Sequence, residues 1–387
     1  MDNPIHNLIL AGMSDGRQIL IVGGGLNGPA LALALAQAGQ RVTGIDALPE
    51  PARREANFAG RSYALALTSQ RLLRAVGVWD RIATEAQPML TIKVSDGNAG
   101  QGVSPLTMQF DHGEIEEGPM GFMVEDRHLR RAFLDTMAEV PAINRATGKV
   151  VAQQVTPSGV TVTLSDGTAL TGALLVGSDG RASGTAARAG IRRTGWDYGQ
   201  TALVCAIAHE LPHDGTAHQM FMPAGPLAIL PLTGNRSSIV WSETRNRAAE
   251  INALDDDAYL DALRPCFGDF LGDISLAGKR FTYPLSLSIA NRFVSDRLAL
   301  IGDAAHGVHP IAGQGLNAGL RDVAALAEVL SDAARRGESI GALQVLERYQ
   351  QWRRFDATAL TLATDTFNHL FSNDNPLLRQ GRDLGMG

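Results

Sequence analysis

Apolar residues follow two different patterns along this chain. Short unbroken runs that end in glycine occur at residues 18–22, before Gly23-Gly24-Gly25, and at 298–301, before Gly302. An uninterrupted run of that length marks a strand covered on both faces, as in a parallel sheet flanked by helices. Residues 26–38 are rich in Ala and Leu and closed by Gly39, which predicts a helix with a glycine stop; residues 41–46 then supply a second strand parallel to the first. The other pattern is alternation. It predicts a three-stranded meander at 150–155, 160–164 and 169–176, with turns at Pro157-Ser158-Gly159 and Ser165-Asp166-Gly167. Residues 201–241 alternate between turn signals at 212–215, 223–225 and 233–235, predicting antiparallel sheet and therefore a second domain. A glycine-rich loop after Gly302 leads into a predicted helix at 316–334. Leu346, Tyr349, Trp352, Leu360, Phe367 and Leu370 recur at helical spacing, predicting long amphipathic helices over 343–371.

Composition narrows the picture. The 387 residues suffice for two or three structural units and a large core, and 34 basic against 40 acidic side chains leave a net charge of −6, which argues against a nucleic-acid partner. Two cysteines, Cys205 and Cys266, without a CxxC pair make a reducing cytoplasmic setting the expectation. The first sixteen residues lack a basic leader region, and Met13 is an alternative start after a disordered extension of twelve residues. Residues 18–40 carry no charge, yet five glycines and Pro29 make them a poor membrane span. Glycine is in excess, 42 residues or about 11% against a usual ~7%, and the excess falls in loops suited to approach a ligand.

Three glycine-bearing motifs carry the chemistry. Gly23-x-Gly25-x-x-Gly28 lies between a predicted strand and a predicted helix. Its first glycine permits a tight turn, its second lets backbone approach a pyrophosphate, and its third lets helix and strand pack closely, with phosphate at the positive helix end. Asp46, eighteen residues beyond Gly28, stands where a ribose would be held; an acid there disfavours a 2′-phosphate, so FAD or NAD fits and NADP does not. Asp179-Gly180-x-x-Ser183 is by itself a turn signal. The third motif runs from Gly302-Asp303 to Gly313-Gln314-Gly315-Leu316-Asn317: a buried strand ends at an acid, and a loop delivers a helix whose free N–H groups suit the anionic N1–C2=O locus of reduced flavin. His306 and His309 are three apart without a third ligand, so loop-positioning or substrate-side roles are expected rather than a metal site.

In this order the motifs resemble the flavoprotein aromatic monooxygenases of the para-hydroxybenzoate hydroxylase class. The run at 309–322 is similar to the signature of the ubiquinone-biosynthesis FAD-dependent hydroxylase family, and Arg61-Ser62-Tyr63-Ala64-Leu65, residues 121–129, Gly195-Trp196-Asp197-Tyr198, and residues 225–232 and 348–356 extend the likeness. The resemblance implies an α/β fold with an α+β substrate part: a Rossmann-like FAD-binding domain from residues 17–86, 119–192 and 282–336, an inserted antiparallel-sheet substrate domain from 87–118 and 193–281, and a helical region from 337–387. It implies that Gly23, Gly25, Leu26, Asn27 and Gly28 hold the FAD pyrophosphate, Asp46 the adenosine ribose, and Asp303 the ribityl chain. Arg61 would lie beside the flavin, Gly315, Leu316 and Asn317 at its pyrimidine edge, and the Pro310 carbonyl at the hydroxylation site, making Pro310, Gly315 and Asn317 the catalytic set. Asp179 and Gly180 would serve a second fingerprint associated with FAD and NAD(P)H.

The implied activity is hydroxylation of a polyprenylated phenol by NAD(P)H and O2 through a flavin C4a-hydroperoxide, so no protein nucleophile or metal is needed. The implied partners are that substrate and a ubiquinone-biosynthesis protein complex, with peripheral contact at the inner membrane and no transmembrane span. Residues 226–232 and the C-terminal helices are candidates for contact with the prenyl tail. A hydroxylase of small soluble phenols, or a non-catalytic flavoprotein scaffold, would share the flavin motifs. Three departures stand out: Asp46 where the family has Glu, Ala186 where the second fingerprint has Arg with Arg188 two residues later, and His218-Gln219-Met220 where an acidic and a basic residue precede the phenylalanine.

Overall fold

The computed structural model describes residues 18–54, 60–98, 102–114, 118–307 and 313–371. The alternative start at Met13, together with His309 and Pro310, lies outside these residues.

The unbroken apolar runs form the centre of a six-stranded sheet, ordered Val294–Ser295, Leu298–Leu300, Leu174–Gly177, Gln18–Val22, Arg41–Asp46, Ile143–Thr147. All neighbours are parallel except the first pair. Ile19, Leu20 and Ile21 are at most 1% exposed, as strands covered on both faces must be. The helix Asn27–Gln37 follows the glycine turn and packs on the helices Gln314–Arg335 and Asp126–Ala138.

The meander departs from expectation in one respect. Its third predicted strand, 169–176, divides: Ala169–Gly172 pairs within the meander, whereas Leu174–Gly177 enters the parallel sheet beside Gln18–Val22. The division falls at Gly172, where a Cβ would stand 2.7 Å from the Gln18 carbonyl oxygen, so the chain changes sheets where the absence of a side chain permits contact.

The second large sheet has nine strands and includes Arg193–His209, Thr216–Met222, Gly225–Leu232 and Arg236–Thr244, whose connections fall at the expected turns. It is mixed, because Thr91–Asn98 runs parallel to Thr216–Met222. Phe281–Ala290 belongs to this sheet, pairing along most of its length with Arg193–His209 and near its end with His306–Gly307. Its main pairing partner lies far away in sequence, so no local pattern marks it. A small sheet of Ser62–Leu65, Gly121–Glu125 and Gln87–Met89 lies alongside.

The Glu125 carboxylate, 2% exposed, ties these regions together: Arg236 of the nine-stranded sheet approaches it at 2.8 Å and Arg127 at 2.7 Å, with His128 at 3.5 Å. Burial alone would raise the Glu125 pKa, but His128, Arg236 and Arg127 outweigh it and hold it down at about 2.

Residues 343–371 form one helix. Leu346 and Tyr349 face inward as expected, but Trp352 is 53% exposed and the inward position beside it is taken by Arg353. A buried carboxylate draws that arginine in. The side chains of Phe367 and Leu370 lie outside the description.

Candidate active site

The first fingerprint is held by close backbone contact. Gly23 has φ +112°, its N–H donates to the Ile45 carbonyl at 2.9 Å, and a Cβ on it would stand 2.2 Å from the Ser178 carbonyl oxygen. Ser178 in turn donates its N–H to Val22 O at 2.7 Å, so the first fingerprint and the Asp179-Gly180 segment are in direct contact. A Cβ on Gly28 would lie 2.2 Å from Gly23 O. Only Gly25 faces open space, and it lines the main cavity. Asp46 accepts hydrogen bonds from Gly24 N at 2.5 Å and Leu48 N at 2.7 Å, at a smaller recess that Arg53 and Arg145 also line. Neither arginine belongs to a sequence motif.

Asp179 turns its carboxylate on its own loop, accepting from the Ser183 hydroxyl and from N and Oγ1 of Thr185, each 2.9 Å from Oδ2. Arg188 does not substitute for the arginine missing at Ala186. It donates to Gln153 Oε1 and Val150 O in the meander, both at 3.2 Å. The side chain from this segment that reaches the cavity is Arg181, which donates from Nε to Asp303 Oδ2 and from Nη1 to Ser286 O, both at 3.2 Å.

The Asp303 segment is gripped from both sides. Arg193 donates to the carbonyls of Asp303, at 2.9 Å, and Ala304; burial lowers the pKa of this guanidinium, with Asp303 acting against the shift. On the other side Asp322, 0% exposed, accepts from Gly302 N at 2.8 Å, His306 Nε2 at 2.6 Å and Arg353 Nε at 2.7 Å. The amide of Asn27 is wedged where a Cβ on Gly302 or Gly319 would stand, 2.3 and 2.2 Å away, and its buried Oδ1 lacks a hydrogen-bond partner among the described residues.

The helix Gln314–Arg335 opens at Gly313, φ +62°, and Gly315 again faces open space at the cavity. Asn317 behaves differently from expectation. Its side chain is buried and fully engaged: Oδ1 accepts from Ala66 N at 2.9 Å and Ser69 Oγ at 2.7 Å, while Nδ2 donates to Ala64 O at 2.8 Å and Gly313 O at 3.1 Å. The amide therefore fastens the helix start to the chain after Ser62–Leu65, and only its backbone remains for a ligand.

The cavity, about 580 Å³, joins Gly25, Leu26, Asn27, Arg61, Asp303, Gly315 and Leu316 on one side. Facing them is the apolar surface of the nine-stranded sheet, including Val204, Ala228, Leu230, Val240 and Phe281. Gly23, Gly28 and Asp46 line the adjacent recess. Along the sheet Gln219 pairs with Ala228 and Ala228 with Val240, so Gln219 places an amide in an apolar row that lines the cavity. Its neighbour His218 instead packs on Phe270, ring centroids 4.6 Å apart, where burial and then Lys93 lower its pKa to about 4.

Two open glycines, an unsatisfied buried amide oxygen and the arginines 61 and 181 at one cavity fit a dinucleotide that carries a diphosphate and an extended ring. The sequence pattern of the FAD binding domain matches residues 17–364. The chain is 46% identical over 370 residues to the ubiquinone hydroxylase UbiL of Rhodospirillum rubrum, covering 95% of this chain and 85% of that protein. It is 34% identical over 373 residues to the 3-demethoxyubiquinol 3-hydroxylase of Escherichia coli, covering 95% and 93%. Its fold matches p-nitrophenol 4-monooxygenase PnpA from Pseudomonas putida with a TM-score of 0.78 at 19% identity, covering 95% and 92%. This chain belongs to the FAD-binding-domain family of flavin-dependent monooxygenases.

Proposed function

We propose that this FAD-dependent monooxygenase hydroxylates the ring of a polyprenylated phenol in ubiquinone biosynthesis, with NAD(P)H as the source of electrons. The observation that supports it most is the single cavity in which the flavin-side glycines and Asp303 face an apolar sheet surface. Bound FAD supplies the redox chemistry, activating O2 after reduction by NAD(P)H.

The chain's own groups would do the rest. Gly23, Gly25, Leu26, Asn27 and Gly28 would seat the diphosphate at the helix start, Asp46 would receive the adenosine ribose, and Arg61 would lie beside the flavin. Asp303 would bind the ribityl chain. Gly315, Leu316 and the Asn317 backbone would present N–H groups to the electron-rich pyrimidine edge, stabilising negative charge there. The Pro310 carbonyl would face the ring to be hydroxylated. Asp179 would act by shaping the turn that carries Arg181 to Asp303. Val204, Ala228, Leu230, Val240 and Phe281 would flank the substrate ring and exclude water, with Gln219 the polar group in that wall. We place the flavin region at 17–86, 119–192 and 282–336, the substrate region at 87–118 and 193–281, and a helical region at 337–387.

Among the described residues no helix is long and apolar enough to cross a membrane. A substrate with a long apolar tail would then be taken from a cytoplasmic membrane face or from a biosynthetic protein complex.

The test is to follow NAD(P)H oxidation by the FAD-loaded protein with a prenylated phenol, a short soluble phenol and no phenol. Stimulation by the prenylated compound with an oxygenated product supports the proposal. Equal stimulation by the soluble phenol would reassign the substrate class. Bound flavin with no stimulated oxidation would favour a scaffold.

A further inference from the structure

One buried carboxylate controls both ends of the segment that carries Asp303. Asp322 Oδ2 accepts the backbone N–H of Gly302, just before Asp303, and the Nε2–H of His306, three residues after it. Its other oxygen accepts from Arg353 Nε at 2.7 Å, and Arg353 also binds Asp356 at 2.5 Å and reaches the Ala318 carbonyl at 3.5 Å. His306 is 1% exposed, and its Nδ1 has no hydrogen-bond partner among the described residues, so the ring's one strong contact there is Asp322. The carboxylate stays ionised: burial opposes the charge, but His306 and Arg353 outweigh burial and lower its pKa.

An ionised carboxylate with no exposure is costly unless its partners are fixed. Here the partners come from two places, the Asp303 segment and the C-terminal helix, while Asp322 itself stands on the helix that begins at the cavity. Gly302 at φ +58° has little freedom to shift, since the Asn27 amide occupies the space beside it.

We propose that His306, Asp322 and Arg353 form a positioning group for FAD, in which Asp322 sets the place of Asp303 and the C-terminal helix holds Asp322 through Arg353. None of the three is among the cavity's lining residues, so their effect on cofactor affinity passes through the backbone at 302–307. This inference rests on FAD binding and is independent of the substrate proposed above.

The experiment is titration of apoprotein with FAD, read by flavin fluorescence, alongside the melting temperature of the apoprotein. His306→Phe keeps volume and leaves the Asp322–Arg353 pair intact, so it isolates one end of the grip. We expect its FAD Kd to rise about tenfold or more, the size seen when orienting partners outside direct contact are removed, and His306→Gln to recover most of the loss by restoring a donor. Asp322→Asn alone would leave the buried Arg353 with only the partly exposed Asp356 as a charged partner, so it is paired with Arg353→Met; the double variant should weaken FAD at least as much as His306→Phe. A merely structural group would lower the apoprotein melting temperature and leave the Kd in place. FAD affinity within about twofold of wild type in His306→Phe would overturn the proposal, whatever the double variant does. Wild-type protein that takes up no FAD would remove the flavin reading and this inference with it.

Discussion

The two sides of the cavity are built from different parts of the chain. On the flavin side two glycines, Gly25 and Gly315, bring backbone to the cavity with no side chain, beside Asn27, Arg61 and Asp303, and Gly313 starts the neighbouring helix. On the sheet side the lining residues all carry side chains, Gln219, Ala228, Leu230 and Val240 among them, contributed by strands that pair across the sheet. Backbone recognition of a diphosphate tolerates almost no added volume, because the ligand must approach N–H groups directly. A wall of side chains can be recut one residue at a time while the fold stays the same. The first arrangement suits a cofactor shared by many enzymes, and the second suits a substrate that differs among them.

The largest effect should come from filling the backbone side. Gly25→Val should reduce FAD affinity about a hundredfold or more while apoprotein melting stays near wild type, because the space it enters is empty of protein. Retained FAD in that variant would contradict the assigned diphosphate seat. On the other side, Ala228→Phe should lower substrate-stimulated NAD(P)H oxidation by roughly ten- to a hundredfold through displaced substrate, with FAD Kd unchanged. Weakened FAD binding there would show that the two sides are not separable.

Asn317→Ala sits between the two. Its amide makes four hydrogen bonds to buried or partly buried groups. Truncation should cost about 2–3 kcal/mol in denaturant unfolding as well as turnover, since several donors and acceptors lose partners at once. A loss of activity without loss of stability would instead assign the side chain to the flavin.

The smallest effect is expected from the tie between the sheets. Glu125 is held at a pKa of about 2 against an ordinary 4.5, so its stabilisation is fully present above pH 4.5 and is lost as pH falls toward 2. Glu125→Gln should flatten the fall in melting temperature across that window. An equally steep fall in the variant would place the acid sensitivity of that window elsewhere; His218, its pKa lowered to about 4, costs stability in a separate window, as pH falls from 6.5 toward 4.

Much of the flavin side is legible in the sequence because each motif there is local. A strand, a glycine turn and a helix follow one another within residues 18–37, and the turn residues have no other conformation open to them that keeps the contacts. Asp303 after a buried strand was legible for the same reason. The Asn317 side chain was not, since its partners Ala66 and Ser69 lie some 250 residues earlier. Nor was the inward turn of Arg353, which helical spacing assigns less readily than Trp352, because nothing near it in sequence reveals the buried Asp322.

By itself the sequence determined where backbone would bend and which segments would lie buried, and hence that glycine loops would stand at the ends of buried strands. Those properties depend on residues a few positions apart, where steric freedom and periodicity decide the conformation. Only the tertiary structure decided which polar side chains face the cavity and which are spent inside the protein. A buried polar group must find a partner wherever the fold supplies one, and for Asp322, Asn317 and Glu125 that partner is distant in the chain.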